Sequence, residues 1–299
     1  VPNNTELILG LPEETVESWK NNLWRLFEAG NHTGIDMFQA QLLENAEMNL
    51  SQRSFYKIKS AVVYDYMSGS YNNDVLQEGV EVVVSTRNLP TEKMLDCQIF
   101  SWYINTFHLN GITSFISRFL RKYRNIAYET FYDGLWNHLL ADEWFRNEME
   151  DTRRYYQQWM RGGKIDHPNI GNIEIHGWNL IHRTTISIHA SKKHAHIFSL
   201  VDEYVKSFQL DEQLMRELVD FQQEYVIDFA RLREYPRSFL FNNDFIGYLR
   251  GERLNTRCEV TLDFPEDKQM SSQKFLELIY FSRKRNFGKA KISKHAIQT

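Results

Sequence analysis

Apolar positions follow two different periods along the first 43 residues. Thr5 to Leu9 is a short apolar run closed by Gly10, and the Leu11-Pro12 pair behind it forces a turn. Val16, Trp19, Leu23, Leu26 and Phe27 then recur at helical spacing and share one face. Thr15 stands where an N-cap belongs, Glu17 lies in the first turn, and Gly30 is placed to stop the helix. Beyond 31–34, residues 35–43 read as a second strand. Two strands joined by a helix of this length form a βαβ unit, so parallel neighbours are expected, with helix 15–29 over one face. Such a unit needs more sheet beside it.

Downstream the periodicity weakens. Residues 44–78, with Ser68-Gly69-Ser70, read as a long excursion. A strand follows at 80–84, β-branched except at Glu81. From Pro90 onward the pattern is helical, with 94–107 rich in buried types and helices expected at 112–123, 127–140 and 142–160. Gly162-Gly163 ends the last of these, and 164–172 reads as loop. Two more helices are expected near 191–208 and 211–232. Strands at 239–241 and 257–264, a helix at 272–281 and a final extended basic segment close the chain. There is no internal repeat.

Composition narrows the classes. The 299 residues are 42% apolar with 20 Phe, 15 Tyr and 7 Trp, enough for a large core and too apolar for general disorder. Thirty-five basic against 39 acidic residues give a net charge of −4, so neither a nucleic-acid nor a membrane partner is expected. No run approaches the roughly 18 to 20 apolar residues of a membrane span, and no signal-peptide core opens the chain. A cytoplasmic protein is the expectation. Two cysteines, Cys97 and Cys258, cannot make a disulfide framework or a tetrathiolate zinc site within one chain.

Candidate chemistry is sparse. Five of the ten histidines, His176, His182, His189, His194 and His196, fall within 21 residues, and Glu174 or Asp202 could complete a metal site. His194 and His196, two apart, would point to different faces of a helix, and no HExxH occurs, so polar histidines are the preferred reading. Arg283, Lys284, Arg285, Lys289, Lys291 and Lys294 form a basic terminal run, and Arg118, Arg121, Lys122 and Arg124 the polar face of a helix. Walker and GxSxG loops are absent. The strand-to-helix turn at Gly10 is the strongest local signal, because a residue without Cβ lets backbone approach something closely. In parallel α/β sheets ligands sit at such C-terminal strand ends.

Glu6-Leu7-Ile8-Leu9-Gly10-Leu11-Pro12-Glu13-Glu14-Thr15 resembles the "E-x-I-x-G-L-P-G-E-T" segment late in the barrel of radical S-adenosylmethionine (SAM) enzymes. Residues 35–47 are similar to the next barrel strand and its "L-L-P-N-x-E" exit. Glu81-Val82-Val83-Val84-Ser85-Thr86 resembles an "E-x-V-V-S-T" segment of cobalamin-binding radical SAM proteins. Phe100-Ser101-Trp102, Phe107-His108, Asp220-Phe221-Gln222, 241–245 and 279–285 resemble further pieces of that family in the same order. Glu13 and Glu44 depart from it, standing where the patterns have Gly and Pro.

The resemblance implies an α/β fold, with a partial (βα) barrel remnant at 1–52 and a mainly α-helical extension with a few strands at 53–299. It implies SAM as cofactor, with Ile8 and Gly10 on the adenine side and Gln39, Gln41 and Asn45 along the next strand's exit. A 4Fe–4S cluster needs three thiolates, normally in a CxxxCxxC loop, and two cysteines 161 positions apart cannot supply them. The chain, opening at Val1 directly before a strand, therefore reads as the C-terminal fragment of a cobalamin-dependent radical SAM enzyme. Its expected partner is the upstream part of the same protein, carrying cluster and cobalamin. The rival is a non-catalytic helical binding protein with a barrel relic, carrying a His-rich metal site in one version.

Overall fold

The βαβ pattern folds as its periodicity requires. In a computed structural model that describes residues 4–64, 79–162, 181–190, 193–278 and 289–296, β1 (Thr5–Leu9) and β2 (Ile35–Gln39) pair in parallel, with Leu7 opposite Met37 and Leu9 opposite Gln39. Helix α1 (Val16–Glu28) joins them and buries Trp19, Leu23, Trp24 and Phe27. Thr15 and Ser18 make a reciprocal capping box at its start, and Gly30, at φ +83°, follows its end.

The chain folds into two compact units, Val1–Asn105 with Glu143–Asn169 and Glu174–Arg183, and Thr106–Asp142 with Ile170–Ile173 and Thr184–Thr299. The expected division at 52/53 does not follow that line, because the sheet region continues past residue 52. Two short helices, α2 (Glu47–Leu50) and α3 (Gln52–Phe55), lead into β3 (Lys59–Tyr64), which pairs antiparallel with β4 (Gly79–Ser85). Leu42 N donates to Glu81 O at 2.8 Å and Val83 N to Ala40 O at 2.9 Å, so the stretch just past β2 pairs with β4. Strand β3 lay inside the expected excursion. Its period is blurred because Lys59, Val62 and Tyr64 are all exposed, and the pairing shifts register at Lys59/Ser60.

Helix α4 (Thr91–Ile104) is buried on every side from Cys97 to Ile104 and packs against α1, β4 and α7 (Glu143–Met160). Trp19 Nε1 donates to Ser101 Oγ at 2.9 Å, and Trp102 stacks on Phe145 with centroids 5.7 Å apart. The chain then passes through a π-helical turn, Asn105–Leu109.

In the second unit α5 (Ser114–Arg124), α6 (Tyr128–Leu139), α9 (His194–Lys206) and α10 (Glu212–Tyr225) pack on one another. Helix α8 (Arg183–Ala190) precedes the expected 191 start, and α10 ends at Tyr225, short of 232, because Val226 turns to extended backbone. A 3-10 turn (Phe229–Glu234) leads into β5 (Arg237–Phe241), α11 (Phe245–Arg250) and β6 (Cys258–Asp263). After α12 (Ser272–Leu276), the basic terminal segment becomes β7 (Lys291–Ala296), giving an antiparallel sheet in the order β5-β6-β7. The fold is thus α/β and mainly helical, as expected. Among the described residues no strands close into a barrel. The expected loop 164–172, the Ser68-Gly69-Ser70 segment and the resemblance at 279–285 lie outside the described residues.

Candidate functional site

The turn after β1 is held by its own carboxylate. Gly10 sits at φ +97°, and its N–H donates to Glu14 Oε2 at 2.9 Å. The Leu11 amide also bonds the Glu14 carboxylate. Burial raises the Glu14 pKa, and these two amides pull against the rise. Glu13, standing where the family pattern has Gly, takes φ +66°, the left-handed backbone that glycine adopts without strain. Asn88 Nδ2 donates to Glu13 O at 3.3 Å and ties the turn to the chain after β4. The departure in residue type therefore keeps glycine-like geometry.

The five candidate residues divide into two groups. Gly10 and Gln39 point inward. A Cβ at Gly10 would stand 3.1 Å from Gln39 Nε2, 3.3 Å from Met94 Cε and 3.4 Å from Val83 Cβ, so the chain's own side chains occupy that space. Gln39 is 4% exposed; it donates to Val83 O at 2.5 Å and to Met94 Sδ at 3.3 Å, and accepts from Gln98 Nε2. Ile8, Gln41 and Asn45 lie differently. Ile8 is 43% exposed, Gln41 is half-buried beside Val82, and Asn45 is exposed. Period-2 alternation explains the split within the strands, since residues 7 and 9 face the helices and residue 8 faces away. Leu11 and Leu43, which follow the two strands, are also exposed, at 42% and 64%. Glu14 and Gln98 were missed from sequence. An acid just before an N-cap threonine was a readable signal for the first; nothing local marks the second.

The histidine cluster does not converge. Asn105 Nδ2 donates to His182 Nδ1 at 3.1 Å, while His189 Nδ1 donates to Ile227 O at 2.6 Å. His194 Nε2 donates to Val226 O at 2.9 Å, and His196 Nε2 lies 3.0 Å from Asp142 Oδ2. Burial pushes His189 down to about 4, which keeps it neutral. Among the described residues no three His, Cys, Asp or Glu side chains could hold a metal ion, and His176 and Glu174 lie outside them. Both thiols are buried, and burial pushes Cys97 up to about 12 and Cys258 up to about 11. Cluster iron takes thiolates, so neither cysteine fits an iron–sulfur cluster. Among the described residues no helix is long and apolar enough to cross a membrane.

No family model matches the chain. It is 32% identical over 132 residues to the cobalamin-dependent radical SAM methyltransferase TokK of Streptomyces tokunonensis. Over the same length it is 31% identical to the 2-(S-pantetheinyl)-carbapenam-3-carboxylate methyltransferase of Streptantibioticus cattleyicolor. Each match takes in 44% of this chain, and the chain spans 19% of either relative. The Gly-Leu-Pro turn with its glycine-like Glu13 and the parallel βαβ unit thus stand in a chain that is similar, over 132 residues, to these two methyltransferases.

Proposed function

We propose that the chain is the C-terminal part of a cobalamin-dependent radical SAM methyltransferase. The observation that carries the reading is the parallel βαβ unit with one covered face and Ile8 exposed on the other, at the C-terminal end of β1. Parallel sheets are normally covered on both faces, as the strands of a closed barrel would be. In this reading β1 and β2 are barrel strands, and the rest of the barrel, with the three-cysteine loop and the cobalamin site, lies upstream. The helices of the chain enclose the substrate.

The residues present suit a SAM contact and not a cluster. Ile8 offers an apolar side chain to the flat adenine, while Gln41 and Asn45 offer amides at the exit of the next strand. Gly10 and Gln39 hold the turn and strand in place rather than touching ligand, since their side-chain space is filled from within. When bound, SAM would supply the methyl group and, with the upstream cluster, the radical.

The test uses the complete reading frame, reconstituted anaerobically with iron, sulfide and cobalamin. A CxxxCxxC loop upstream and SAM cleavage are expected. Ile8→Asp is expected to weaken SAM binding roughly tenfold, since it replaces apolar contact with a desolvated charge, while cluster content stays unchanged. A frame without the three-cysteine loop, or unchanged SAM affinity in Ile8→Asp, overturns the reading. Gly10→Val is a poor probe, because its Cβ would collide with Gln39 and Met94 whether or not SAM binds.

A further inference from the structure

The chain beyond β2 makes a basic hollow in the first unit. A cavity of about 620 Å³ opens where α2, α3 and the start of β3 meet, a volume ordinary for a small-molecule site. Arg53, Lys57 and Lys59 line it, and among the described residues no carboxylate does. Arg53 is already neutralised. Its Nη1 donates to Asn49 Oδ1 at 2.8 Å, and its Nη2 to Ser60 Oγ at 2.7 Å and Glu81 Oε1 at 2.9 Å. These bonds fix one wall of the cavity.

The two lysines differ from it. Both are exposed, and neither ammonium has a hydrogen bond or ion pair among the described residues. Ile58 between them is buried, at 6% exposure, and anchors the segment. Lys57 also stands in costly backbone. Lys57 N donates to Ser54 O at 3.2 Å and Ile58 N to Arg53 O at 2.9 Å, the paired bonds of a helix stop that glycine usually completes. Its φ of +52° lies in the left-handed region, where a side chain is penalised and glycine is not. Within the chain, no polar contact of the lysine side chain offsets that penalty.

Two like charges without a counter-charge on one cavity attract an anion, and a doubly charged anion answers both. A carboxylate would leave one lysine unanswered, whereas a phosphate monoester carries about −1.5 to −2 at pH 7 and offers three acceptor oxygens. Ser54 adds an exposed hydroxyl to the lining, and Leu50, 70% exposed, adds apolar surface. We propose that this cavity binds a phosphate monoester, whose phosphate pairs with Lys57 and Lys59 and whose organic body packs on Leu50. The site uses side chains of the first unit alone and does not depend on the methyltransferase reading.

The experiment titrates phenyl phosphate and benzoate into the chain at fixed ionic strength, above the second phosphate pKa, by calorimetry and thermal shift. Saturable binding of phenyl phosphate is expected, roughly tenfold tighter than that of benzoate, which has the same ring and one charge fewer. Lys57→Gly removes the charge and suits the backbone, so the fold is kept. It and Lys59→Met are each expected to weaken phenyl phosphate by roughly tenfold, and Leu50→Ser by roughly threefold. Lys206→Met, which removes an exposed lysine paired with Asp202 in the second unit, is expected to leave binding unchanged. The proposal is overturned by no saturable binding of phenyl phosphate, by benzoate binding as tightly, by unchanged affinity in the Lys57, Lys59 or Leu50 variant, or by an equal loss in Lys206→Met.

Discussion

The two sheet regions treat their second faces in opposite ways. In the antiparallel sheet of the second unit, β6 turns Cys258, Val260 and Leu262 inward and presents Glu259, Thr261 and Asp263 on its other face. That is the ordinary solution for an antiparallel sheet with one face toward water. In the first unit β1 and β2 also bury one face, with Leu9, Ile35 and Gln39, yet the opposite face carries exposed Ile8. Among the described residues seven of the eight exposed large apolar side chains lie between Ile8 and Tyr64, and Leu240 alone lies in the second unit. Ile8 shares that face with Phe38, Glu6 and Asp36, so what sets the first unit apart is the number of exposed apolar side chains in this stretch of chain.

The largest effects expected are in the two cores, and they test whether both are equally finished. Trp19→Ala removes a fully buried indole and its bond to Ser101, and Leu262→Ala empties a site behind β6. Costs of about 3–5 and 2–5 kcal/mol are expected in urea unfolding. Ile8→Ala is expected to cost well under about 1 kcal/mol, since much of that side chain is already in water. A cost for Ile8→Ala as large as that for Trp19→Ala would mean the open face is packed, and the comparison would fail.

Acid is expected to act next, and on the second unit. His189 is neutral in the fold, its pKa near 4 against 6.5 for the free group. Below pH 6.5 the unfolded chain takes up a proton that the folded chain refuses, so stability falls with pH until the folded pKa is reached. The full loss from this group is roughly 3 kcal/mol, and His194, lowered mainly by burial, acts with the same sign. Urea titrations near pH 7 and pH 4 on wild type and His189→Gln check this. The variant is expected to lose less on acidification. An equal loss in both would place the acid sensitivity elsewhere.

Much of the fold was legible where one period dominated. The α1 stripe, Thr15 as cap and Gly30 as stop were readable because helix start, face and end agree. Strand β3 was not, because Val62 and Tyr64 stay exposed and the alternation that marks a half-buried strand is broken. Helix α8 hid among the histidines and threonines of 182–189, which are buried through tertiary contacts that no local pattern announces. At the site, sequence named the right turn but not the division of labour within it. Gly10 and Ile8 are two residues apart, yet only the folded chain shows that Gly10 is backed by Gln39 and Met94 while Ile8 looks outward.

A smaller effect is expected at Glu13. Its φ of +66° costs a side-chain-bearing residue about 1–2 kcal/mol relative to glycine. Glu13→Gly removes that strain while adding freedom to the unfolded chain, so a net gain of about 0.5–1 kcal/mol is expected. A higher urea midpoint in Glu13→Gly checks it. A lower midpoint would show that the Glu13 side chain contributes more than its backbone costs.

The smallest change in stability goes with the sharpest test of the open face. Ile8 stands on it at the end of β1 and Leu43 is exposed in the chain beyond β2, whereas Leu240 is the lone counterpart in the other sheet. Apolar surface gathered in one place binds a hydrophobic dye in the folded state, and single exposed side chains do not. Ile8→Asp with Leu43→Asp is therefore expected to lower dye fluorescence and slow aggregation while leaving the urea midpoint within about 0.5 kcal/mol of wild type. Leu240→Asp, the control, is expected to change neither. If dye binding falls equally in the control, the exposed apolar side chains of the first unit are scattered rather than gathered, and the sheet needs no cover. If it falls only in the first-unit variant, the face that binds dye in the isolated chain is the one that the upstream barrel is proposed to occupy. Adding the upstream part in trans would then displace the dye without any change to the chain itself.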